Sequence, residues 1–161
     1  MRSSALNLYL ALKFLHVTGA AVLFGTGLGI AFFQLMANRD GDPGSIAETL
    51  RTVVIADYLF IATAVIVQPL TGLMLADLRG YALSEFWIVA STALYVVTGA
   101  FWLPVVAIQI KLRDLATGAA NAGESTLPPQ YHRLMRLWFW LGWPAFLAVL
   151  GIIWLMIAKP V

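Results

Sequence analysis

Residues 134–158 read LMRLWFWLGWPAFLAVLGIIWLMIA, with Arg136 as their one charged side chain. About 20 predominantly apolar residues in helical form cross the hydrocarbon of a bilayer, so this stretch can span it. Three further segments qualify on the same ground: 6–36, 52–76 and 84–110. Lipid offers the backbone no hydrogen-bond partners, which restricts spanning elements to helices or closed barrels. The expected fold is therefore all-α: a polytopic membrane four-helix bundle forming a single membrane domain over 1–161.

Composition agrees with that reading. Of 161 residues, 61% are hydrophobic and only 11% charged, too little charge to clothe a water-soluble domain. The net charge of +2 is small and scattered, which argues against a nucleic-acid partner and leaves the lipid bilayer as the main one. The chain has no cysteine, and this excludes disulfides, thiolate catalysis, iron–sulfur ligation and thiolate ligation of haem. Lys13 interrupts the first apolar run and no small-residue cleavage site follows, so the run reads as a retained helix rather than a signal peptide.

Between the spans lie 37–51, 77–83 and 111–133. The first contains the turn-forming Asp40-Gly41-Asp42-Pro43-Gly44, and the last, read as the longest loop, contains Gly118, Asn121, Gly123 and Pro128-Pro129. Ser45…Glu48 has the spacing of a capping box, which predicts a short helix leading into the second span. Arg39, Arg51, Lys111, Arg113, Arg133 and Arg136 gather on one side, against Arg2, Arg79 and Lys159 on the other. Basic residues favour the cytoplasmic side, so both termini are expected in the periplasm of a bacterial inner membrane. Trp138, Trp140 and Trp143 at one end, with Trp87 and Trp154 at the other, suit interfacial belts.

The two halves resemble each other. Leu15-His16-Val17-Thr18-Gly19-Ala20 matches Leu94-Tyr95-Val96-Val97-Thr98-Gly99-Ala100 with a one-residue slip, and Gln34…Arg39-Asp40 matches Gln109…Arg113-Asp114. A duplicated helical hairpin is the corresponding hypothesis.

Polar groups within spans mark candidate sites, because hydrocarbon tolerates them only when they are buried and partnered. Lys13 and His16 are three apart and share a helical face. Counting about 1.5 Å per residue inward from the outer ends places His16 level with Gln68, Thr92 and Tyr95, and Lys13 level with Thr71 and Met74. The expected pocket is thus His16, Lys13, Gln68 and Tyr95 in the outer half of the bundle. A second polar layer lies near the cytoplasmic end: Gln34, Asp57, Gln109, His132, Arg133 and Arg136, with Asp57 expected to pair structurally with Arg136. Gly25-x-x-x-Gly29 predicts a close helix approach. Pro69, Pro104 and Pro144 should free the carbonyls of Val65, Ala100 and Trp140.

Leu12-Lys13-Phe14-Leu15-His16-Val17 and Trp140-Leu141-Gly142-Trp143-Pro144-Ala145-Phe146…Trp154-Leu155-Met156…Lys159-Pro160 resemble a bacterial membrane family, domain-of-unknown-function family 2269, across essentially the whole chain. The Leu-Lys-x-x-His start, with Arg51…Gln68-Pro69…Gly72, is also distantly similar to bacterial four-helix protoporphyrinogen oxidases that bind haem b, and to copper-resistance D-like membrane proteins. That likeness implies His16 as a ligand to haem iron. Residues 87–110, however, contain no Lys and no His to act opposite it. Lys13 and His16 leave one side of one helix, and His132 lies near the other membrane surface. A five-coordinate haem, a ligand from a second subunit in a homo-oligomer, or no haem are the arrangements left. The reading adopted is a non-enzymatic or accessory inner-membrane protein with a polar pocket around His16. The alternatives are a haem-b- or quinone-linked oxidoreductase, with Lys13 meeting an acidic group such as a propionate, and a small transporter subunit.

Overall fold

The computed structural model describes the backbone of residues 2–160 and the side chains of residues 6–160. The side chain of Arg2, counted above among the outer charges, lies outside the described residues. Those residues are almost wholly helical and include no strand: α1 (Arg2–Asp40), α2 (Pro43–Ala56), α3 (Ala62–Arg79), α4 (Phe86–Asn121) and α5 (Pro129–Ala158). A π-helical turn over Asp57–Ile61 joins α2 to α3, so that Pro43–Arg79 runs as one rod and supplies the second of four helices long and apolar enough to cross a membrane. The chain is an all-α, multi-pass integral membrane protein.

The helices outrun the apolar windows on the side read as cytoplasmic. Residues 111–121, expected as loop, continue α4, and the connection to α5 shrinks to 122–128. Polar composition marked the end of the hydrocarbon there and not the end of the helix. Leu112, Ala116 and Ala119 recur at helical spacing and are buried on α4. Leu112 and Ala116 meet Ile46 and Leu50 of α2 and Tyr131 and Met135 of α5 in a close-packed apolar cluster. The turn before α2 also differs from its prediction. Asp42, and not Ser45, is the N-cap: its carboxylate accepts from the Ser45 N–H at 2.8 Å, and Pro43 occupies the first turn, where a missing N–H costs nothing.

Packing is pairwise. α3 lies along α1 and α5 along α4, while α2 bridges α1 and α4. The two antiparallel hairpins are therefore joined firmly at the α2 end and diverge elsewhere. Both close on glycine. A Cβ on Gly72 would stand 3.2 Å from His16 Cε1, and one on Gly151 would stand 2.9 Å from Leu94 Cδ1. His16 and Leu94 fall in the two segments whose sequences match, though not at matched positions, since Leu94 corresponds to Leu15. The predicted approach at Gly25 and Gly29 is not made: nothing lies within 4 Å of a Cβ at either. The close contacts fall instead at Gly19, Gly72 and Gly151.

At the end of the bundle that holds the chain termini, cations meet aromatic rings. Arg79 lies 5.3 Å over the Tyr9 ring and Lys13 lies 6.0 Å from it. Lys159 lies 4.6 Å over Tyr81 and 5.1 Å over Trp87, tying the start of α4 to the end of α5.

Candidate functional site

α1 and α3 bring His16, Gln68 and Thr71 together. Gln68 Nε2 donates to the backbone oxygen of His16 at 2.9 Å. This approach is open because residue 19 is glycine; a Cβ there would collide with the Gln68 amide. His16 Nδ1 lies 2.8 Å from Thr71 Oγ1, and that hydroxyl lies 2.8 Å from the Val67 carbonyl and 3.2 Å from that of Gln68. The threonine has one proton and two carbonyls within reach, so it donates to the backbone and accepts from the histidine. That assignment puts the imidazole proton on Nδ1 and leaves the lone pair on Nε2.

The other two members of the expected pocket go elsewhere. Lys13 is exposed and reaches only toward Tyr9. Tyr95 donates its hydroxyl to the carbonyl of Val65, the one that Pro69 deprives of its helical partner. Thr71, which the depth count had set level with Lys13, is the residue that meets His16.

The second polar layer divides. Gln34, Asp57 and Gln109 are buried, whereas His132, Arg133 and Arg136 are exposed. Asp57 does not pair with Arg136. Its neighbours are Trp102, whose indole Nε1 donates to Oδ1 over a long 3.4 Å, and the side chain of Gln109. Arg136 faces outward beside Arg133 and Trp140. The π turn beginning at Asp57 and the inward face of α4 set the carboxyl among these groups, while long Arg136 reaches the aqueous border by snorkelling. Gln109 Nε2 donates to Gln34 Oε1 at 3.3 Å, and Gln34 Nε2 lies 3.7 Å from Met135 Sδ. Matched residues of the two halves, Gln34 and Gln109, thus bond to one another.

Between the hairpins lies a cavity of about 690 Å³. Phe24, Phe146 and Val149 are among its apolar walls, and Asp57, Gln109, Trp102 and Trp138 also line it. Leu28, Phe32, Val96 and Leu103 also line it and are exposed on the bundle surface, so it opens sideways toward hydrocarbon. π turns concentrate at functional sites, and this one places the only buried acid among the described residues against the 690 Å³ cavity. Neither the turn nor the void has a compositional signature. The polar layer itself was visible in the sequence.

A haem iron could take the Nε2 lone pair of His16. His16 does not line the 690 Å³ cavity, however, and no group of three or more His, Cys, Asp or Glu gathers among the described residues. Within one chain, His16 therefore offers an axial bond outside this cavity.

No curated protein and no solved structure gives a significant match to the chain. A family model does match, over the length that holds all four spans, the His16 contacts and the Asp57 layer. On that match, covering residues 10–160, the chain belongs to the family described as "Predicted integral membrane protein (DUF2269)".

Proposed function

We propose that this chain is a non-enzymatic, accessory protein of the bacterial inner membrane, in which the polar pocket around His16 locks the first hairpin. The supporting observation is where the hydrogen bonds go. Gln68 donates to the α1 backbone, His16 to Thr71, and Thr71 to the α3 backbone. Each bond either joins the two helices or braces the one that does. Interhelical hydrogen bonds in membranes contribute about 0.6 kcal/mol on average and up to about 1.7. His16→Ala also removes a ring packed on Gly72, so it should lower stability by about 1–2 kcal/mol in detergent. An unchanged unfolding midpoint would defeat the lock.

The free Nε2 favours a second reading, a haem-b- or quinone-linked membrane oxidoreductase with His16 as axial ligand. Haem supplied during expression, followed by an absorption scan of the purified protein, separates the two. A Soret band lost in His16→Ala supports the second reading; with no band, the haem arm of that reading is dropped.

A further inference from the structure

The 690 Å³ cavity carries three buried side-chain atoms with no hydrogen-bond partner: Asp57 Oδ2, Gln109 Oε1 and Trp138 Nε1. Asp57 is 4% exposed, Gln109 1% and Trp138 5%, so none can turn to bulk water. Ser91 and Tyr131 also hold unpartnered polar atoms, but they are outside the cavity lining. An unsatisfied polar atom away from water incurs its full desolvation penalty, and one void bordered by three is unusual. The rest of the lining is overwhelmingly apolar and opens toward lipid. The natural occupant is consequently a lipophile whose polar part is small and fits these three atoms.

Their types restrict that polar part. Two are acceptors and one is a donor. An ammonium only donates and would leave the indole unpaired; an ether or ketone only accepts and would leave both oxygens unpaired. A hydroxyl does both, serving the indole and one of the two oxygens. We propose that the cavity binds a lipophilic molecule with a hydroxyl-bearing head, its O–H donated to Asp57 or Gln109 and its oxygen accepting from Trp138 Nε1. The apolar body lies toward Phe24 and Phe146, which stack with ring centroids 5.6 Å apart. Gly99 stands in the wall, and a Cβ there would meet nothing within 4 Å. That small residue helps to keep the space open. Gln68 lines the cavity as well as bonding α1, but the three unpartnered atoms share no side chain with the His16–Thr71 contact, so His16→Ala tests the lock and leaves the head-group atoms in place.

The test uses the full chain in lipid nanodiscs with a brominated dodecylphenol, which quenches tryptophan at contact. Trp102 and Trp138 both line the cavity and report on it. Saturable quenching is expected beyond that of a tryptophan peptide in the same lipid. Binding should be about tenfold or more tighter than for the brominated methyl ether or the matching alkylammonium, the difference that one buried hydrogen bond makes. Gly99→Leu should abolish saturation with the unfolding midpoint kept, because its side chain enters the void. Removing the acceptor of the O–H, by Asp57→Leu or by Gln109→Leu, should weaken the phenol about tenfold and the ether little; if Asp57→Leu does not fold, Trp138→Phe, which removes the donor to the phenol oxygen, should weaken the phenol about tenfold and decides. His16→Ala should leave the quenching in place. The proposal is overturned if the ether or the ammonium binds as tightly as the phenol, which would indicate a bare acyl chain or a cation as occupant. It is also overturned by quenching that never saturates, or by Gly99→Leu binding as the wild type does.

Discussion

Tyr95 and Pro69 show how one residue compensates for another. Proline leaves the Val65 carbonyl without its helical N–H, and the Tyr95 hydroxyl from α4 takes that place. Tyr95→Phe should therefore lower stability by about 0.5–1.5 kcal/mol. In a Pro69→Ala background, where the backbone N–H returns, the same change should be nearly neutral; a double-mutant cycle from unfolding midpoints reads the coupling. Additive effects would refute the pairing. At the end of the bundle that holds the chain termini, Lys159 Nζ donates to Tyr81 Oη at 3.0 Å. This bond, reinforced by the positive charge, favours the phenolate and holds the Tyr81 pKa below the usual tyrosine value. Lys159→Ala removes both influences, so Tyr81 should ionise at higher pH. Tyrosinate absorbance during alkaline titration measures the shift, and Tyr81→Phe should delete the same early component. The carbonyl freed by Pro69 could be read from the sequence, since proline fixes its position. The hydroxyl that satisfies it could not, because Tyr95 at the level of His16 looked like a partner for the imidazole.

Glycines decide how the first hairpin packs. Gly19 lets Gln68 reach the α1 backbone, whereas Gly25 sits exposed with open space around it. Gly19→Ala should therefore cost about 1 kcal/mol by displacing the Gln68 amide. Gly25→Ala should be neutral or stabilising by up to about 1 kcal/mol, since alanine is the better helix former. Equal effects at the two positions, read from denaturation midpoints, would contradict the packing described. The Gly-x-x-x-Gly spacing had favoured the opposite result. That spacing reports what a helix face permits, while the approach depends on what a neighbour presents, here one amide side chain. Element type was easily read because twenty-odd apolar residues in lipid have few alternatives. Asp57 illustrates the limit. Its need for a partner was evident, but the π turn that places it beside Trp102 depends on how α2 and α3 are seated, and no local residue preference announces it.

Four crossings return both ends of the bundle to one face, a statement of parity that the contacts of Tyr9 with Arg79 and Tyr81 with Lys159 make visible. The excess of Lys and Arg on the opposite face predicts that this face is cytoplasmic. Since the chain has no cysteine, single substitutions give clean reporters. In intact cells, Ser84→Cys should react with a membrane-impermeant maleimide, and Ser125→Cys should react only after permeabilisation. The reverse pattern would invert the topology. The sideways mouth of the cavity bears on how concentration is to be reckoned. A solute entering through it never has to leave the oil phase, so occupancy follows that solute's mole fraction among the surrounding lipids. Diluting the sample with buffer would leave occupancy almost untouched, whereas adding plain phospholipid would lower it.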